Sequence, residues 1–219
     1  MDYQSGQKTG SGYLALPAFG KGPGVLVLHA WWGLNPFFTA LCDRLAAEGF
    51  VALCPDLYDG KLANTQEEAN ALVSALDFDR AGQKAMEALD VLGQYASVPD
   101  ARIGALGCSM GANWAVMLST MLPEKIAAAV LFYGVSDGDF SKANCDYLCH
   151  FGTEDEWDPV EQAREMAAAI QAAGKSVTLY EYPGAGHWFF EENQEGHFKK
   201  EAAELAWERT VPFLKERLS

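Results

Sequence analysis

Ser109 stands between two glycines in the string Gly107-Cys108-Ser109-Met110-Gly111, after the short apolar run Ile103-Gly-Ala-Leu106 and before the helix formers Ala112, Ala115, Val116, Met117 and Leu118. A serine held at a sharp strand-to-helix turn has a strained backbone, and the residues two before and two after it must be small for strand and helix to cross. Gly107 and Gly111 meet that demand. The helix that follows aims N–H groups and the positive end of its dipole at any oxyanion formed beside Ser109. The implied chemistry is attack of a hydroxyl on a carbonyl carbon. Cys108 is intrinsically the better nucleophile, but counting two residues either way from it meets Leu106 and Met110, both too bulky for the crossing. Ser109 is therefore the expected nucleophile and Cys108 a packed neighbour, with a Cys108-dependent thiol hydrolase as the alternative.

A serine hydroxyl needs a base to remove its proton, and a histidine base needs an acid to fix its tautomer. The chain has four histidines. His29 ends an apolar run, His150 lies inside another, and His197 opens an amphipathic segment beside lysines, positions that suit packed or solvated imidazoles. His187 differs, because it follows the strand pattern Val177-Thr-Leu-Tyr-Glu-Tyr182 and the flexible Gly184-Ala185-Gly186. Loops at the carboxyl ends of strands are where an open α/β sheet presents its ligands. For the acid, Asp155 follows the run ending at Phe151-Gly152, and Asp158 before Pro159 is expected to cap the next helix. The order Ser109, Asp155, His187 is that of α/β-hydrolases.

Further segments carry a resemblance. Leu28-His-Ala-Trp-Trp-Gly-Leu-Asn35, Cys54-Pro-Asp-Leu-Tyr58, Phe132-Tyr-Gly134, Gly152-Thr-Glu-Asp155 with Pro159, and Tyr182-Pro-Gly-Ala-Gly-His187 resemble motifs of the dienelactone hydrolase family, and the likeness runs from about residue 25 to the C-terminus. It implies a hydrolase of carboxylic esters or lactones with Ser109, Asp155 and His187 as catalytic triad, an oxyanion hole made by the backbone N–H groups of Trp31 and Met110, and no metal or organic cofactor. The chain departs from the family at three positions. Ser109 matches the usual cysteine, Ala30 stands where a glutamate governs thiol ionisation, and Glu191 stands where relatives that act on dienelactone hold an arginine for the substrate carboxylate. A serine keeps its proton until attack, so the glutamate has no task here. Uncharged esters or lactones are the expected substrates, with Arg80 the first suspect should a carboxylate bind. Trp31, Trp32, Phe37, Phe38, Tyr133 and Trp188 are expected to line an apolar pocket, while Leu41 and Leu45 belong to the core.

These residues need a scaffold. Residues 24–29, 50–55, 103–107, 127–133 and 147–151 read as strands, mostly apolar without alternation and so buried on both faces in a parallel sheet, with a last strand at 177–182 and an edge strand near 13–16 after a Gly/Ser-rich start. Between them lie helical patterns. Asn35 caps one with Pro36 at its first position and Gly49 at its end, Thr65 with Glu68 forms a capping box, and others run near 79–95, 110–122, 159–173 and 196–217. The alternation predicts a doubly wound, mostly parallel α/β sheet flanked by helices, an α/β-hydrolase fold in a single domain over 1–219.

At 219 residues with 49% apolar, the chain has material for a substantial core. Its net charge of −14 supplies no basic surface for nucleic acid or anionic membrane. The start Met-Asp-Tyr-Gln-Ser-Gly-Gln-Lys has no secretion pattern and no apolar run approaches the ~20 residues of a membrane span. Five cysteines without paired metal-ligand spacing suit reduced thiols. A cytoplasmic monomer or small homo-oligomer acting on a small molecule is expected. The alternative from another class is a binding protein that keeps the fold without the chemistry, since fold alone does not prove activity.

Overall fold

A computed structural model describes residues 5–6, 11–95 and 102–219. Most of the N-terminal segment read above for a secretion signal, and part of the Gly/Ser-rich start, lie outside the described residues. The chain divides into two compact units, Met1–Ile103 and Gly104–Ser219.

In the first unit, β1 (Gly12–Ala15), β2 (Gly24–Leu28) and β3 (Val51–Pro55) take the order β1-β3-β2. β2 and β3 run parallel with Val25 opposite Ala52, and β1 lies antiparallel on β3 with Tyr13 opposite Cys54. All three strands are buried along their whole length, as expected of runs without polar alternation. Helix α1 (Pro36–Ala47) starts where Asn35 accepts a hydrogen bond from the Phe37 N–H, and it buries Phe38, Leu41 and Leu45. Helix α2 (Gln66–Ser74) is capped by Thr65, whose hydroxyl accepts from the Glu68 N–H at 3.2 Å. Glu68 returns its carboxylate to the Asn64 N–H at 2.8 Å, so the capping box closes one residue early. Helix α3 (Phe78–Tyr95) buries Ala81, Ala85, Ala88 and Leu92, and with them Lys84. The Lys84 ammonium is satisfied by the Asp56 carbonyl and by Asp59 at 2.8 Å, which explains a buried cation on an apolar face.

The second unit is built on β4 (Ile103–Cys108), which begins with the last residue of the first, followed by α4 (Met110–Met121), β5 (Ile126–Phe132), β6 (Asp146–Gly152), α5 (Val160–Ala172), β7 (Val177–Tyr182) and α6 (Lys200–Arg217). Strand order is β4-β5-β6-β7, with β5, β6 and β7 parallel, Phe132 opposite His150 and His150 opposite Tyr180. His150 is a structural residue. Its ring nitrogens meet the Tyr182 hydroxyl at 2.8 Å and the Thr210 hydroxyl at 3.1 Å, and burial pushes its pKa down to about 3. Helix α6 starts at Lys200, four residues later than its apolar pattern suggested. The preceding stretch is wound into turns that sink Trp188, Phe189 and Phe190, with the Lys199 N–H tied back to the Phe189 carbonyl at 3.0 Å and Gly196 at φ +82°. Among the described helices none is long and apolar enough to cross a membrane.

Candidate active site

The turn from β4 into α4 places Ser109. Its backbone sits at φ 52°, ψ −117°, a conformation costing about 1–3 kcal/mol that persists only where its surroundings enforce it. Its N–H donates to the Phe132 carbonyl at the end of β5 (2.9 Å), and its carbonyl accepts the first bond of the helical turn from Ala112. The crossing is as tight as the glycine spacing implies. A Cβ at residue 107 would stand 2.1 Å from the Gly111 carbonyl oxygen, and one at residue 134 would stand 2.5 Å from the Ser109 carbonyl oxygen. Met110 opens α4, so its amide lies at the positive end of the helix beside the serine.

The loop after β6 delivers Asp155. One carboxylate oxygen accepts the N–H groups of Trp157 and Asp158, both at 2.9 Å, which locks the turn. The other faces Nδ1 of His187 at 2.8 Å. The loop after β7 delivers that histidine. Glu154 donates its N–H to the Ala185 carbonyl and Gly184 donates to the Thr153 hydroxyl, so the acid loop and the histidine loop are stitched together before their side chains meet. His187 Nε2 lies 2.9 Å from Ser109 Oγ. With Asp155 accepting at Nδ1, the proton sits on Nδ1 and Nε2 is left as the acceptor for the serine hydroxyl. Asp155 and His187 are 7% and 4% exposed, whereas Ser109 is half-buried and reachable.

Asp158 does not cap α5. The helix has no side-chain cap, and Asp158 Oδ1 accepts from the Val135 N–H at 3.0 Å instead, while its other oxygen lies 3.8 Å from His187 Nδ1. Burial raises its pKa, so the second acid near the imidazole is the weaker partner. The groove of about 680 Å³ on this side is lined by Val135, Asp137, Phe140, Asp158, Glu165 and Met166.

Around the imidazole stand three aromatic rings. Trp188, at φ +62°, meets it edge-on at 4.8 Å, and Tyr133, at φ +36°, lies 5.0 Å away. Both, expected to line an apolar pocket, are 2% and 0% exposed and form the wall behind the histidine. Trp157 is the residue that sequence reasoning missed: half exposed, it lies 6.4 Å from the His187 ring and 5.7 Å from Trp188. Its signal was its place two residues after the acid. Trp31 (half-buried), Trp32 and Phe37 (both buried) belong to the first unit, where the two indoles pack at 5.3 Å.

Cys108 is wholly buried, and burial raises its thiol pKa well above the ordinary range. All five cysteines are buried thiols outside any disulfide. His29 accepts the Leu57 N–H at Nε2 and faces the Ala30 carbonyl through Nδ1, a packed role, and His197 lies on the surface with its ring against Trp188. Arg80 is paired with Asp59 at 2.9 Å and borders a cavity of about 220 Å³ with Tyr58, Lys61, Leu72, Leu76 and Asp77 in the first unit. Glu191, four residues after His187, has a wholly buried carboxyl that takes the Tyr133 hydroxyl at 3.0 Å, because the turn after His187 folds inward beneath three aromatic side chains. No group of three or more His, Cys, Asp or Glu among the described residues could hold a metal.

The chain has relatives. A 31% identical carboxymethylenebutenolidase of Pseudomonas sp. strain P51 aligns over 98% of this chain and 93% of its own. Protein usf of Aquifex pyrophilus is 30% identical over 95% and 94%. A Klebsiella pneumoniae structure named for the dienelactone hydrolases superposes with a TM-score of 0.83 at 23% identity, covering 94% of this chain and 92% of that one, which assigns the α/β-hydrolase fold. The pattern of the dienelactone hydrolase family matches residues 11–218. The chain belongs to the dienelactone hydrolase family.

Proposed function

We propose that this hydrolase cleaves carboxylic esters or lactones through an acyl-enzyme, with Ser109 as nucleophile, His187 as general base and acid, and Asp155 as the group that orients it. The observation that carries the reading is the unbroken chain Ser109 Oγ to His187 Nε2 at 2.9 Å and His187 Nδ1 to Asp155 Oδ2 at 2.8 Å. In the first half-reaction Oγ bonds to the carbonyl carbon as its proton passes to Nε2. The oxyanion meets the Met110 amide at the head of α4. Collapse breaks the ester C–O bond, and the departing alkoxide takes the proton from Nε2. Water then repeats the sequence on the acyl group, giving the acid and free Ser109. Asp155, hydrogen-bonded to Nδ1, holds the imidazole in place through both halves.

The burial of Cys108 supports serine over the neighbouring thiol, because a thiol kept un-ionised in the core is neither accessible nor reactive. The family arginine four residues after the histidine is replaced by a buried acid, so nothing at that position draws in a substrate carboxylate, which favours neutral esters and lactones. A screen of purified protein against p-nitrophenyl esters and several lactones tests the reading. We expect turnover of neutral aryl esters that Ser109→Ala abolishes and Cys108→Ala largely retains. Loss in Cys108→Ala with retention in Ser109→Ala would transfer the role to the thiol, and inactivity toward every ester and lactone would favour a binding protein.

A further inference from the structure

The steps above leave Glu191 without a task. It lies four residues after His187, in a turn where its N–H donates to the Trp188 carbonyl at 3.0 Å and its carbonyl accepts from the Gln194 N–H. Its carboxyl is 0% exposed. Oε1 accepts the Tyr133 hydroxyl at 3.0 Å, and Oε2, equally buried, has no hydrogen-bond partner among the described residues. Tyr133 is itself held in an unusual way. It leaves β5 at φ +36°, which a bulky residue adopts only under constraint, with its N–H on the His150 carbonyl and its ring 5.0 Å from the His187 imidazole. One residue earlier, the Phe132 carbonyl receives the Ser109 N–H.

We propose that Glu191, acting through its hydrogen bond to Tyr133, is a positioning residue for His187 and works as an un-ionised acid, so that its deprotonation shuts off turnover on the alkaline side. This rests on the serine-hydrolase reading above. The bond cross-links the end of β5, which supports Ser109, to the turn that carries His187, and it pins the tyrosine ring against the imidazole.

The neutral state follows from the surroundings. The titratable groups facing the carboxyl are the Tyr133 hydroxyl from the end of β5 and the Cys108 thiol from the end of β4, with His187 beyond the tyrosine ring. On its own turn its backbone bonds to the Trp188 carbonyl and the Gln194 N–H. None of these offers a fixed positive charge. A carboxylate there would be a buried anion with a single donor, an expensive arrangement. Burial accordingly pushes the Glu191 pKa up to about 8, with the Tyr133 hydrogen bond pulling the other way. Above that pH the charge must draw in water or swing outward, and either movement carries Tyr133 and the histidine turn with it.

The test compares wild type, Glu191→Gln and Glu191→Leu from pH 6 to 10. It reads kcat on p-nitrophenyl butyrate and, in parallel, the rate at which a fluorophosphonate labels Ser109. Glutamine keeps a carbonyl for Tyr133 and cannot ionise; leucine offers no acceptor. Wild-type kcat is expected to fall at least about tenfold between pH 7 and pH 9.5, with a midpoint near 8. Glu191→Gln should keep at least about a third of the neutral-pH value and stay level to pH 9.5, while Glu191→Leu should lose about tenfold or more throughout. A level wild-type profile, the same alkaline fall in Glu191→Gln, or full activity in Glu191→Leu overturns the proposal. If leucine does not fold, the glutamine profile decides. A wild type that neither hydrolyses esters nor is labelled sinks the serine-hydrolase reading and this one together. Labelling at equal rates in all variants at every pH sinks this one alone.

Discussion

Replacing Glu191 by glutamine should make the protein's stability less sensitive to pH in a defined window. An ordinary glutamate titrates near 4.5, and Glu191 in the folded chain at about 8. Between those values the folded state holds a proton that the unfolded chain has lost, so the folded state binds more protons and its stability falls as pH rises. Below 4.5 both states are protonated and Glu191 contributes no slope; above about 8 both are ionised and the loss is complete. At 1.36 kcal/mol per pH unit the window amounts to roughly 5 kcal/mol, an upper figure that any opening of the carboxyl to water would reduce. Glutamine has no proton to lose, so the gap between variant and wild type should widen by several kcal/mol from pH 5 to pH 9, in the variant's favour. The other acidic residues are common to both proteins and cancel in the comparison. Guanidinium unfolding at pH 5, 7 and 9, followed by tryptophan fluorescence, measures it directly. Parallel stability curves with a constant offset would refute the reasoning, since they would mean that the Glu191 proton is not linked to folding.

Asp155→Asn should retain the fold, because the side-chain oxygen still accepts from Trp157 and Asp158, but it presents an N–H to His187 and reverses the tautomer; turnover is expected to fall roughly 10⁴-fold with an unchanged circular dichroism spectrum. Gly107→Ala drives a Cβ to 2.1 Å from the Gly111 carbonyl oxygen, backbone against backbone, and should cost about 3 kcal/mol or more, lowering Tm by about 6–12 °C in differential scanning fluorimetry. His150, neutral in the fold with a pKa near 3 against an ordinary 6.5, contributes stability that is present above pH 6.5 and lost as pH falls toward 3; acid unfolding should be less steep in His150→Gln than in wild type.

How far the sequence discloses this molecule depends on how local the cause is. Strands β2 to β6 were legible because doubly buried strands are written as apolar runs, and α1 because Asn35 and Pro36 mark its start chemically. The three side chains of the candidate site could be singled out because each sits where chain direction changes at a strand end. What stayed hidden was non-local. Nothing near Asp158 in sequence says that its oxygen belongs to the Val135 amide, 23 residues away, so the cap seemed the better use. Glu191 is an acid in a polar-looking stretch, and only the inward fold of Trp188, Phe189 and Phe190 buries it beside Tyr133, 58 residues earlier. The late start of α6 has the same origin, since that burial takes the backbone that helical periodicity had assigned to the helix. Lys84 on α3 is enclosed by the Asp56 carbonyl and Asp59, 28 and 25 residues earlier, a burial that no local pattern signals.

The central claim is that Ser109, and not the adjacent Cys108, carries the acyl group. Incubating the protein with a fluorophosphonate or a slowly released aryl ester, digesting it, and locating the added mass by tandem mass spectrometry tests this most directly, because the two residues are neighbours in one peptide and fragmentation separates them. The full adduct is expected on Ser109 and none on Cys108, with an unchanged result in Cys108→Ala and loss of labelling in His187→Ala. An adduct on Cys108, or labelling of Ser109 that survives the loss of His187, would contradict it.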